Sequence, residues 1–153
     1  MISTDSHLSN DIVLLDSSGN KISSAELSRG VVVLYFYPRA MTPGCTREGK
    51  RFNELYEEFA KLGVKIYGVS TDKPERNKRF AEKYGFKFKL LSDPDGKVIG
   101  KLGFMKKGTK RPTSQRVTLI LKDGEVIAVL RNIRPAERHA DEALKIIKKL
   151  LKK

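Results

Sequence analysis

The segment that most constrains this chain is Val31–Tyr37, VVVLYFY. Every residue in it is apolar or aromatic, and the first three are β-branched. A helix would have to bury such a run on all sides, whereas a strand between two covered faces accepts it directly. The run therefore predicts a central strand buried on both faces. That in turn demands neighbouring strands and helices above and below it. The pattern breaks at PRAMTPGC, residues 38–45, and resumes with a different period. Phe52, Leu55, Tyr56, Phe59 and Leu62 follow steps of three and four, one face of a helix from about Thr46 to Leu62, ended by Gly63.

The same logic orders the rest. Residues 12–15 and 20–22 flank Asp16-Ser17-Ser18-Gly19, a turn-forming cluster, and predict an N-terminal hairpin. Ser24 is placed to cap a short helical turn. Residues 64–69, VKIYGV, read as a strand. Asp72 is placed to cap the next helix, with Pro74 in its first turn and Gly85 after its end. Residues 86–91, FKFKLL, read as a third strand, 93–96 as a turn and 97–102 as a short helix. Arg116–Leu121 and Glu125–Leu130 flank Lys122-Asp123-Gly124, a hairpin with Asp-Gly in its turn. A last helix runs from about Pro135 to Leu151, with Ala140, Leu144, Ile147 and Leu151 along one face. Strand–helix–strand units favour parallel pairing with right-handed crossovers. The expected fold is α/β and thioredoxin-like: one domain over residues 1–153, with a mixed central sheet flanked by helices and an N-terminal β-hairpin.

Bulk properties exclude several classes. At 153 residues the chain can bury a sizeable core without staples. One cysteine rules out an internal disulfide and a Cys-x-x-Cys zinc site, and two histidines rule out a His-rich metal site. No signal-peptide pattern opens the sequence and no apolar run suits a membrane span, so the expected setting is soluble, reducing and cytoplasmic. The formal net charge of +13 invites a nucleic-acid reading. The basic residues are, however, spread along most of the chain, which fits a solvated basic surface with no specific nucleic-acid partner. His139, near the start of the last helix, is assigned to the surface, and spacing gives no support to a Cys–His nucleophile pair. No phosphate-binding glycine loop is present.

The chemistry concentrates at Cys45. A lone cysteine is by itself ordinarily an inert, buried small hydrophobe. This one follows a buried strand and sits just before or within the first turn of a helix. Free N–H groups and the helix dipole there favour an anion, and the thiolate is the reactive form. Gly44 removes bulk beside the sulfur, and Pro43 restricts the helix start. Thr42, three residues earlier, carries a hydroxyl able to donate to the sulfur or to a bound oxygen.

Residues 36–48, FYPRAMTPGCTRE, resemble the active-site segment of the peroxiredoxins, and within them the bacterioferritin comigratory protein or Q-type branch. The family pattern of Pro, three residues, Thr, two residues and Cys falls on Pro38, Thr42 and Cys45. The resemblance continues through Tyr67-Gly68-Val69-Ser70, Leu91-Ser92-Asp93-Pro94 and Arg116-Val117-Thr118-Leu119-Ile120. It implies a cofactor-free thiol peroxidase in antioxidant defence. In that scheme Cys45 attacks hydrogen peroxide or an organic hydroperoxide and becomes a sulfenic acid. Thr42 holds the peroxide oxygen and the thiolate together, Arg116 stabilises the thiolate and the leaving oxygen, and Pro38 shields the sulfur from water. Glu48 matches a residue common in the branch and is placed to orient an arginine.

One departure matters. Many members carry a resolving cysteine five residues after the first, and here that position is Lys50. The implied enzyme is a one-cysteine variant, reduced by an external thiol or a thioredoxin- or glutaredoxin-like protein, and a monomer or weak homodimer. Two other classes compete. A thiol–disulfide exchange protein would want the absent Cys-x-x-Cys, and a basic binding module would leave Cys45 without a task.

Overall fold

The computed structural model describes residues 2–152. Its centre is the predicted strand. β3, Val31–Phe36, is buried at all six positions. Val32, Leu34 and Phe36 enter one core, while Val31, Val33, Tyr35 and, beyond the strand, Tyr37 enter the other. That is the period-two consequence of a strand covered on both faces.

β3 pairs in parallel with β4 (Lys65–Ser70) and antiparallel with β6 (Val117–Lys122). β4 continues in parallel to β5 (Lys89–Ser92), and β6 in antiparallel to β7 (Glu125–Leu130). The hairpin β1 (Val13–Leu15) and β2 (Lys21–Ser23) joins the far edge, where Leu15 pairs with Ser92. The mixed sheet has seven strands in the order β2-β1-β5-β4-β3-β6-β7. At the β6–β7 turn Asp123 and Gly124 both have positive φ, 49° and 84°. An Asp-Gly pair accepts that geometry at low cost.

The helices divide between the faces. α1 (Ser24–Leu27) and α5 (Lys97–Leu102) cover one core through Leu27, Val98, Ile99 and Leu102. α2 (Pro43–Glu54), α3 (Tyr56–Lys61), α4 (Pro74–Tyr84) and α6 (Arg138–Leu150) cover the other. On that face Tyr35 stacks on Phe52, with ring centroids 4.3 Å apart. Fully buried aromatics of this kind are each worth a few kcal/mol, so this layer anchors α2 against the sheet.

Several local expectations are corrected. The helix expected over 46–62 starts earlier, at Pro43, and is interrupted at Leu55, whose φ, ψ of −91°, 2° lie outside the helical region. The strand expected at 86–91 begins only at Lys89. Its aromatic alternation is used otherwise: Phe86 and Phe88 stack at 5.2 Å, and Asn53 holds the preceding backbone by accepting from Lys87 N–H and donating to Gly85 O. Asp72 does not cap α4. Its carboxylate is buried, accepts from Ala40 N–H at 2.7 Å and Ser70 Oγ at 2.8 Å, and pairs with Arg76 at 3.1 Å. Ser24 is the first residue of α1, and its hydroxyl donates to Asn10 O. The last helix begins at Arg138, because Pro135 and Ala136 form a turn whose carbonyls accept from Arg138 and His139 N–H.

Candidate active site

Strand β3 ends at Phe36, and residues 37–42 turn the chain into α2. Thr42 is the residue before the helix, in extended conformation, and Pro43 is its first residue. Proline fits there because its missing N–H would have no intrahelical partner. Cys45 therefore lies in the first turn, where backbone N–H groups are unpaired by the helix and the dipole is positive. Its side chain is only 1% exposed and packs into the core beneath α2.

What separates this cysteine from an inert core residue is the charge beside it. Arg116 immediately precedes β6, the strand next to β3, and reaches across to α2. Its Nη1 donates to Cys45 Sγ at 3.5 Å and to Glu48 Oε1 at 2.6 Å. A Cβ on residue 44 would stand 3.0 Å from Arg116 Nη2, so Gly44 clears room for the guanidinium. Glu48 is one helical turn after Cys45 and wholly buried. Burial pushes its carboxyl up to about 8, against the opposing pull of Arg116. Burial thus opposes the negative charge on Glu48, which loosens its claim on the Arg116 charge in favour of the sulfur.

His139 corrects the sequence expectation. It is not a surface residue but 1% exposed, and its Nδ1 is 2.9 Å from Thr118 Oγ1 and 4.0 Å from Glu48 Oε2. Burial first, and the positive field of Arg116 second, lower its pKa to about 4. It is therefore a neutral ring behind Glu48. Thr118 and His139 were both missed as site neighbours. The available signal was spacing: His139, Ala143 and Ile147 step by four on the buried face of α6.

Two other expected residues lie in the turn between β3 and α2. Thr42 Oγ1 donates to Arg39 O at 2.7 Å, so its proton is not directed to the sulfur. Pro38 is half-buried and, with Arg116, lines a cleft of about 480 Å³. Lys50 is exposed on α2, with Nζ 5.9 Å from the Tyr84 ring centroid. Among the described residues no cluster of His, Cys, Asp and Glu could hold a metal ion.

Residues 7–129 match the model of the AhpC/TSA family. Peroxiredoxin Q of Sedum lineare is 36% identical over 137 residues, covering 90% of this chain and 74% of that protein. The chain is a peroxiredoxin of the AhpC/TSA family. Peroxiredoxin Q of Arabidopsis thaliana is also 36% identical, and this chain spans 64% of its length. The crystal structure of the peroxidoxin BcpB of Mycobacterium tuberculosis superposes on this peroxiredoxin with a TM-score of 0.90 at 35% identity, covering 98% of this chain and 99% of that one. The bacterioferritin comigratory protein of Xanthomonas campestris, solved in connection with its alkyl peroxide reduction activity, gives 0.84 at 34% identity and 92% of each chain. The thioredoxin-like mixed sheet is thus the peroxiredoxin fold, and the activity is that of a thiol-dependent peroxidase.

Proposed function

We propose that Cys45 reduces hydrogen peroxide and organic hydroperoxides through a sulfenic acid, and that an external thiol returns it to the thiol state in antioxidant defence. The observation that carries this is the Arg116 guanidinium 3.5 Å from Cys45 Sγ at the start of α2. A partly buried cation beside a sulfur stabilises a thiolate and the charge that grows on a departing oxygen. In the reaction the sulfur lone pair attacks the terminal peroxide oxygen and the O–O bond breaks. The other oxygen leaves with a proton as water or alcohol. With its own proton bonded to Arg39 O, Thr42 keeps lone pairs to accept the O–H of the peroxide. Pro38 limits water at the mouth of the site.

Position 50 is Lys, and Cys45 is the sole cysteine, so the electrons for the return step come from another molecule. A small thiol or a thioredoxin- or glutaredoxin-like protein suits that step, acting on a monomer or weak homodimer in a reducing, cytoplasmic setting. The net charge of +13 serves as a solvated surface and not as a specific nucleic-acid site. Peroxide consumption with dithiothreitol is the test. The native chain turns over and Cys45→Ser does not; equal consumption by both would refute the proposal.

A further inference from the structure

The cleft beside the active site carries an electrostatic pattern that peroxide chemistry does not use. Lys106, Arg116, Arg131 and Arg134 line it, and no carboxylate does. Arg116 is engaged elsewhere, donating to the Glu48 carboxyl and to Cys45 Sγ. Among the described residues, Lys106, Arg131 and Arg134 form no ion pair. Three uncompensated cations thus converge on one concavity. Unpaired lysines and arginines are common on a chain of net charge +13, and what marks these three is that they line one concavity.

The cleft is also built in advance. Arg131 Nη1 donates to Gln115 Oε1 at 3.1 Å, and Gln115 Nε2 donates to Met105 O at 3.2 Å. The Arg131 guanidinium lies 5.0 Å from the Phe104 ring centroid, within cation–π range. Fixing a cation before binding removes an ordering cost that the ligand would otherwise meet. Only Pro38, Ile133 and Ala136 among the lining residues are apolar, so the cleft suits a compact polar anion better than an alkyl chain. It also communicates with the reacting atom, because Arg116 lines the cleft and touches Cys45 Sγ.

We propose that this cleft binds the external reductant, and that the reductant is a small thiol bearing carboxylates, held by Lys106, Arg131 and Arg134 beside the oxidised Cys45. The proposal rests on the peroxidase reading above and supplies its missing electron donor by chemical class. The thiolate of the bound ligand attacks the sulfenic sulfur. An S–S bond forms, the S–O bond breaks, and the departing hydroxide takes a proton to become water. A second thiol then attacks the ligand sulfur of the mixed disulfide, freeing Cys45 and forming the ligand disulfide. Two thiols deliver two electrons for each peroxide reduced.

The test compares mercaptosuccinate with the uncharged 2-mercaptoethanol in peroxide turnover, each rate normalised to thiolate concentration. The quantity read is the ratio of the two kcat/KM values in the full chain. The native ratio should exceed one and fall with added salt. Lys106→Gln/Arg134→Gln, at exposed positions where folding is not at stake, should lower it roughly tenfold, as the loss of two near-surface charges dictates. Arg131→Gln should lower it further. Lys78→Gln/Lys149→Gln removes equal charge from α4 and α6 and should keep the native ratio. A native ratio at or below one, an unchanged ratio in the cleft variant, or an equal fall in the distal control overturns the proposal. If the cleft variant instead slows the oxidation of Cys45 by peroxide in a single turnover, the cleft serves the peroxide and the proposal also fails. Absence of turnover with both thiols would instead strike the peroxidase reading.

Discussion

Replacing Glu48 by Gln should change how stability depends on pH in a way that only a buried, protonated carboxyl explains. Glu48 is wholly buried, and its pKa rises from 4.5 to about 8 on folding. A carboxyl with a raised folded pKa contributes its full stability below the unfolded value and loses it as pH rises through the folded value. The contribution of the Glu48 carboxyl is therefore lost between about pH 4.5 and pH 8. At about 1.4 kcal/mol per unit the loss is on the order of 5 kcal/mol. His139 acts in the opposite sense. Its pKa falls from 6.5 to about 4, so its stability contribution is lost as pH falls through that window. In the native protein the two slopes oppose each other below pH 6.5, and Glu48 alone acts above it. Glu48→Gln keeps an acceptor for Arg116 Nη1 and removes the titration. Urea unfolding from about pH 5 to about pH 8.5 reads this directly. The variant should gain on the native chain as pH rises, by roughly 2 M in midpoint for a slope of about 2 kcal/mol/M. Parallel pH profiles would refute the raised Glu48 pKa, and with it the view that Arg116 keeps its charge for the sulfur.

Other outcomes follow from the same geometry. Thr42→Val removes the hydroxyl bonded to Arg39 O and keeps the shape; stopped-flow peroxide reduction should slow by about 10²-fold, with the far-ultraviolet spectrum unchanged. Lys50→Cys puts a second thiol on α2, an exposed position where a helical spacing of five holds the sulfurs apart until the helix opens. Non-reducing peptide mapping after peroxide should show a disulfide between Cys45 and the thiol introduced at position 50, and less sulfinic acid than in the native chain.

How much of this was legible in the sequence varied with the kind of information. β3 was legible because seven consecutive apolar residues permit few alternatives, and the β6–β7 hairpin because Asp-Gly suits two positive φ angles. The placement of Cys45 at a helix start followed from the Pro and Gly beside it. The partners of that sulfur were not legible from local pattern. Arg116 is 71 positions away, and only the sheet pairing of β3 with β6 brings it in. The resemblance to a known family supplied that link. Buried polar residues were the systematic omission. His139 read as a surface residue and Asp72 as a cap, and Asn77 drew no reading at all, yet all three are buried. Asn77 binds Tyr37 Oη, Ser70 Oγ and Ser92 Oγ beneath α4. A polar residue in step with the apolar face of a helix, as Asn77 is with Phe80, Ala81 and Tyr84, is the signal for such a network.

The central claim is that Cys45, although 1% exposed and packed into the core, is the peroxide-reducing residue and not an inert one. The direct measurement is mass spectrometry of the folded, reduced chain after brief exposure to near-stoichiometric hydrogen peroxide, with a sulfenic-acid trap present. The account predicts that Cys45 gains one oxygen and is captured by the trap, and that Arg116→Met sharply slows that gain. A Cys45 that stays a free thiol while the protein is folded would contradict it.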